Sequence, residues 1–187
     1  VVSLESGMAS NIKTGKRAMD VVDKVQREWA SENPELNTLP MSVIDRLLRI
    51  TKRVERLMKV FYQQAGLTAG EFEVLMTLRR AGAPYCLTPS DLQVSLLLSS
   101  GAMTNRLNRL EQKGLLTRGM SIYDRRNVEV SLTEKGVCRI EALLLEYVAL
   151  QEQLLSGFSA EEQESLSNQL RVWLRHYEKS WQDIWPF

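Results

Sequence analysis

Between Ser99 and Lys113 the chain reads SSGAMTNRLNRLEQK, and its polar residues have types and spacing suited to one kind of chemistry. Met103, Leu107 and Leu110 fall at i, i+4 and i+7, the stripe of a helix that faces a core. Thr104, Asn105, Asn108 and Arg109 fall largely on the other side, and Lys113 follows at the helix end. Asn offers paired hydrogen bonds to adenine edges and Arg to guanine edges, each contact discriminating by about 1–3 kcal/mol. Ser99, Ser100 and Gly101 open this helix, where unpaired N–H groups suit a phosphate.

A second cluster, Asp124-Arg125-Arg126, lies between segments 115–121 and 128–132. Val128, Val130 and Leu132 alternate with Glu129 and Ser131, the period of a half-buried strand, so the cluster sits at a hairpin tip. There Asp124 holds one guanidinium while the other enters a narrow minor groove. An ordinary polar turn is the plain alternative for these three residues. A solvated face is the plain alternative for the basic stretch as a whole.

The elements that must position these residues follow from pattern. Residues 16–32 carry Val21, Val22, Val25 and Trp29 at helical spacing, and 31–40, with two prolines, read as a linker. Residues 41–65 form one helix, roughly 37 Å long, with Val43, Leu47, Ile50, Val54, Leu57 and Phe61 on a stripe and Gly66 as its stop. Capping boxes stand at Thr68/Glu71, Thr88/Asp91 and Ser159/Glu162. The first opens a helix over 71–81, and the second opens a short helix ending near Leu97. Thr133 begins a helix with Val137, Ile140, Leu144 and Val148 on one face. Residues 161–179 follow with Leu166, Leu170, Trp173 and Leu174, a stripe that Tyr177 and Trp181 extend.

The fold class is therefore mainly α with a small β-wing: a winged helix-turn-helix domain plus N- and C-terminal dimerisation helices. Residues 1–15 read as a cloning remnant and a disordered arm, with Met8 as the natural start. Residues 16–65 are N-terminal helices for dimerisation, 66–133 the DNA-binding domain, and 134–187 the C-terminal dimerisation helices. Self-association is the simplest cover for long apolar helices outside a three-helix module.

Net charge is only +1 over 187 residues, but it is unevenly spread. Arg106 to Arg126 holds six basic residues against Glu111 and Asp124, whereas Glu141 to Leu170 holds six Glu and no Lys or Arg. The two regions face different partners. No apolar run is long enough for a membrane helix, and 44% hydrophobic residues suit a folded domain. The expected location is the cytoplasm. Cys86 and Cys138 have neither metal-ligand spacing nor a disulfide framework, and His176 has no ligand-spaced neighbour, so no metal or cofactor is expected. With no Gly-rich phosphate loop, no histidine dyad and no room for a second domain, an enzyme is not expected either.

The run Leu67-Thr68, Leu87-Thr88-Pro89, Ser99-Ser100, Thr104-Asn105-Arg106-Leu107, Leu110-Glu111-Gln112-Lys113-Gly114-Leu115, Asp124-Arg125-Arg126 and Leu132-Thr133-Glu134-Lys135-Gly136 resembles the MarR family of bacterial transcriptional regulators. The resemblance covers roughly residues 40–182. It implies a homodimer with paired winged-helix lobes on a palindromic operator in double-stranded DNA. It also implies control by a small, often anionic aromatic effector bound between the dimerisation and DNA-binding regions. Trp29, Glu73, Arg106 and Arg118 occupy places that match the ligand residues of the urate-responsive subgroup. Glu73 departs from the subgroup's Asp by one methylene, which shifts its carboxylate by about a bond length. Urate and other planar anions, aromatic carboxylates among them, are therefore both open.

These four residues also make physical sense as a set. A planar anion needs an aromatic face and guanidinium partners, and a ligand on Arg106 would pull on the reading helix. The plain alternative makes Trp29 a core anchor, pairs Glu73 with Arg118 and puts Arg106 on a phosphate. Two further readings of the whole chain stay open: a cysteine-based redox regulator using Cys86 or Cys138, and a winged-helix protein–protein adaptor that does not bind DNA.

Overall fold

The computed structural model describes residues 19–120 and 128–184, with side chains described up to 178. The chain divides into two units, the first being Val21–Val148 and the second including the chain from Ala149 onward.

The first unit opens with α1 (Val21–Glu32) and the long α2 (Leu39–Ala65). The linker is shorter than the prolines suggest. Pro40 sits inside the first turn of α2, where its missing N–H has no helical partner to lose. Arg46 Nη2 lies 2.6 Å from Asp23 Oδ1 and ties α2 to α1. Gly66, at φ +66°, ends α2 as expected: its N–H donates to Gln63 O, and the Leu67 N–H donates to Tyr62 O. Of the stripe expected on α2, only Phe61 is buried. Val43 and Ile50 are exposed, together with Leu39, Met41, Ile44 and Leu48.

The core lies beneath α3 (Ala69–Arg80), α4 (Pro89–Leu96) and α5 (Ser100–Gln112). The first two of the expected capping boxes form here: Thr68 Oγ1 accepts from Glu71 N while Glu71 Oε2 accepts from Thr68 N, and Thr88 pairs with Asp91 in the same way. Leu75, Leu78, Leu92, Met103, Leu107, Leu110, Val130 and Ile140 are at most 2% exposed. Phe61, Tyr62, Phe72 and Tyr147 pack with ring centroids 5.0–5.7 Å apart, joining α2 and α3 to the helix that begins after Thr133.

The sheet has three strands, not the two of the expected wing. β2 (Leu116–Met120) and β3 (Val128–Leu132) form the wing ladder, with Arg118 opposite Val130. β1 (Cys86–Leu87) pairs with the other edge of β3, giving the order β1-β3-β2. Cys86 is thus a strand residue. Two residues are too few to show a period, and only the partner strand reveals them.

α6 (Glu134–Leu154) follows Thr133. Its buried positions are Gly136, Ile140 and Leu143, a face rotated from the expected row through Leu144 and Val148. The rotation has a local cause. The helix start is drawn onto the chain after α5, with Thr133 N donating to Leu115 O and Thr133 Oγ1 to Gly114 O. Gly136 is then so close that a Cβ there would lie 1.9 Å from Leu115 O. In the second unit, α7 (Ala160–Ile184) starts at the expected Ser159 cap, whose Oγ accepts from Glu162 N. Leu170, Leu174 and Tyr177 are exposed.

Candidate nucleic-acid interface

α5 presents the row that its periodicity indicated. Met103, Leu107 and Leu110 are buried, whereas Thr104, Asn105, Asn108 and Arg109 are exposed, as are Ser99, Ser100 and Gly101 at its start. Ser99 Oγ accepts from Ala102 N at 3.4 Å, leaving other first-turn N–H groups for an outside acceptor. Thr104 Oγ1 donates to Ser100 O at 2.9 Å. Asp124, Arg125 and Arg126 lie outside the described residues.

Lys113 is turned to a different use from the one its place in the basic stretch suggested. Its ammonium lies 2.8 Å from Glu71 Oε2 and 2.9 Å from Gly66 O. Glu71 is 2% exposed. Burial pushes the Glu71 carboxyl up, but hydrogen bonds from Lys113 and from Thr68 outweigh it and hold the group below its ordinary range. Lys135 Nζ donates to Lys113 O, and Arg139 Nη2 to Ala65 O, each at 2.8 Å. Cations thus satisfy the orphan carbonyls where α2 and α5 end. α5 is pinned at its C-terminus to the end of α2.

Of the four residues matched to a ligand site, Glu73 and Arg106 come together: Arg106 Nη1 lies 3.4 Å from Glu73 Oε2. The plain alternative had paired Glu73 with Arg118, and the structure corrects that. The Arg106 guanidinium lies across Gly70, where a Cβ would meet Cζ at 2.2 Å, so α3 lets this side chain lie flat only because residue 70 has none. Arg118 instead turns to α5, donating through Nε and Nη2 to Glu111 Oε2 and through Nη2 to Asn108 Oδ1. That guanidinium holds the Glu111 carboxyl below the usual carboxylate range. Trp29 is 42% exposed on α1, which does not fit a core anchor.

Glu73 also borders a cavity of about 630 Å³ between α2 and α3, whose walls include Val54, Met58, Lys59, Tyr62 and Leu67. Burial raises the Tyr62 phenol above its ordinary range, with Tyr147 and Glu73 adding to the effect, so it stays a donor. Sequence reasoning missed this α2 wall and the clamp residue Glu111. The sequence signal for the clamp was Asn108 and Glu111 at i and i+3, ten and seven residues before a strand Arg.

Both cysteines are free thiols. Cys86 Sγ donates to Glu129 Oε2 at 3.3 Å, and burial pushes its pKa up, which disfavours the reactive thiolate. Cys138 is exposed. Among the described residues no group of His, Cys, Asp and Glu could hold a metal ion. No described helix is long and apolar enough to cross a membrane.

Comparison with known proteins bears on this arrangement. The MarR family profile matches residues 65–127. The regulator PecS of Dickeya dadantii is 39% identical over 150 residues, covering 80% of this chain and 90% of that protein. The repressor YetL of Bacillus subtilis is 26% identical, covering 63% of this chain and 70% of its own length. A mutant MarR of Escherichia coli, solved in complex with operator DNA, is similar at 29% identity and a TM-score of 0.61, covering 75% of this chain and 99% of that one.

Proposed function

The chain belongs to the MarR family of transcriptional regulators, and from that premise we propose that it is an operator-specific repressor working as a homodimer under control of a small planar anion. DNA binding is the family's business; the operator, the sign of regulation and the effector are the proposed parts. The observation that carries the reading is the division of α5 into a buried apolar stripe and an exposed row of Thr104, Asn105, Asn108 and Arg109. In this reading Asn105 and Arg109 contact base edges. Ser99, Ser100 and Gly101 take a phosphate, and Asp124, Arg125 and Arg126 reach the flanking minor groove. Lys113 acts from behind, fixing the helix end. The exposed apolar face of α2 supports a second copy as its cover, and two lobes on two half-sites would let a nearly neutral chain bind tightly. Acting on the chromosome, the protein works in the cytoplasm.

The Glu73–Arg106 pair supports the effector reading. A heterocyclic anion such as urate carries both an N–H donor for a carboxylate and an oxygen acceptor for a guanidinium. By inserting between the two groups it would shift Arg106 and with it the reading helix. Trp29 supplies the stacking face, whereas Arg118 is engaged by Glu111 and Asn108. YetL, named a repressor, supports the same sign of regulation here.

The test is a titration of labelled DNA from upstream of the chain's own gene, with urate and benzoate as added probes. Saturable binding released by either probe, with release lost in Arg106→Gln, supports the reading. Absence of binding would count against the DNA assignment. Binding indifferent to both probes and to Arg106→Gln would count against the effector.

A further inference from the structure

Asn108 and Arg109 stand side by side on the exposed row of α5, yet they differ in one respect that bears on which base is read. Arg118, on the neighbouring β2, places Nη2 2.5 Å from Asn108 Oδ1. A guanidinium has five donors and no acceptor, so only the oxygen of the amide can face it. Arg118 is itself fixed. Its Nε and Nη2 donate to Glu111 Oε2 at 3.1 and 2.5 Å, and its backbone is laddered opposite Val130. The amide oxygen of Asn108 is therefore held toward β2 before any DNA arrives, with one of its two lone pairs engaged, and its NH2 is the part left to lead toward a base.

An unrestrained Asn reads adenine by using both ends of its amide, accepting from N6 and donating to N7. With the oxygen held toward Arg118, the paired adenine geometry is lost and the donor half leads. Guanine presents two acceptors, O6 and N7, on its major-groove edge, and no other base does. We propose that Arg118 is a positioning residue that turns Asn108 from an adenine reader into a donor-only reader of guanine. The inference rests on the DNA reading above and adds a base identity to one position of the operator. It also gives the wing strand a part in sequence choice that does not depend on touching DNA.

Selection from a randomised duplex pool tests this, using the full chain and the variants Asn108→Ala, Arg118→Met and their combination. Asn108→Ala identifies the base pair concerned as the one whose preference disappears. At that pair the wild type is expected to favour guanine over adenine at least fivefold, and Arg118→Met to reverse the preference while other positions hold. The double variant should match Asn108→Ala alone. Glu111→Gln, which loosens the clamp but keeps Arg118, should shift the same pair part of the way, and it carries the test if Arg118→Met fails to fold. Wild-type preference for adenine at that pair would overturn the inference. So would a uniform loss of affinity in Arg118→Met with an unchanged base profile, which leaves the DNA reading standing. A wild type that selects no sequence overturns both.

Discussion

At the scale of single residues, the side chains that looked alike in the sequence separate by what holds them. Lys113 and Arg109 both belong to the basic stretch, but only Arg109 is turned outward. Lys113 is bound to a carboxylate that is 2% exposed. The pairing across 42 residues could not be read from spacing, because it depends on how the ends of α2 and α5 meet. It has a pH signature. The Glu71 carboxyl is held below its reference of 4.5, so its stabilising effect is fully present above that value and lost as pH falls through the lowered one. Glu71→Gln should cost about 1–2 kcal/mol at neutral pH in urea unfolding. The gap to wild type should stay constant from pH 6 to 8 and close as pH falls through the lowered value. A gap that grows on acidification would mean that the pair is not formed. Gly70→Ala has the opposite character. The clash is with the end of a flexible side chain, so stability should change by less than about 1 kcal/mol while the Arg106 guanidinium moves away from Glu73. Effector response should suffer more than folding does, as paired thermal-melt and probe-release measurements would show.

At the scale of elements, most of the helices were legible because their signals are local. The Thr68, Thr88 and Ser159 boxes each form, Gly66 stops α2, and the 103/107/110 stripe is buried. What escaped was set by contact between distant segments. β1 has no period of its own and exists through its pairing with β3. The face of α6 is rotated because its first turn packs on the chain at Leu115. That packing gives an expectation that runs against helix propensity. Ala at position 136 should favour a helix by about 1 kcal/mol, yet its Cβ would meet a backbone carbonyl that cannot swing aside. Gly136→Ala should therefore destabilise the protein by about 2 kcal/mol or more, lowering the melting temperature by several degrees. A rise in melting temperature would show that the helix start is not seated there.

At the scale of the whole molecule, the account joins three parts. In the proposed reading, α5 presents Asn105 and Arg109 to DNA, a second copy covers the exposed face of α2, and the Glu73–Arg106 pair links a cavity wall to α5. The wing tip belongs here too. Replacing Arg125 and Arg126 by Ala should weaken binding to every duplex alike and reduce the steepness of its salt dependence by about one to two counterions per lobe. A change confined to one base position would argue instead for base reading by the tip. The central claim is that the exposed row of α5 reads sequence. Fluorescence anisotropy with a selected palindromic duplex and a scrambled one of equal length, at one fixed salt concentration, tests it most directly. The account predicts wild-type preference for the palindrome of roughly a thousandfold or more, collapsing by at least tenfold in Asn105→Ala/Arg109→Ala while scrambled-duplex affinity changes far less. Equal affinity for both duplexes, or discrimination untouched by that double change, would contradict it.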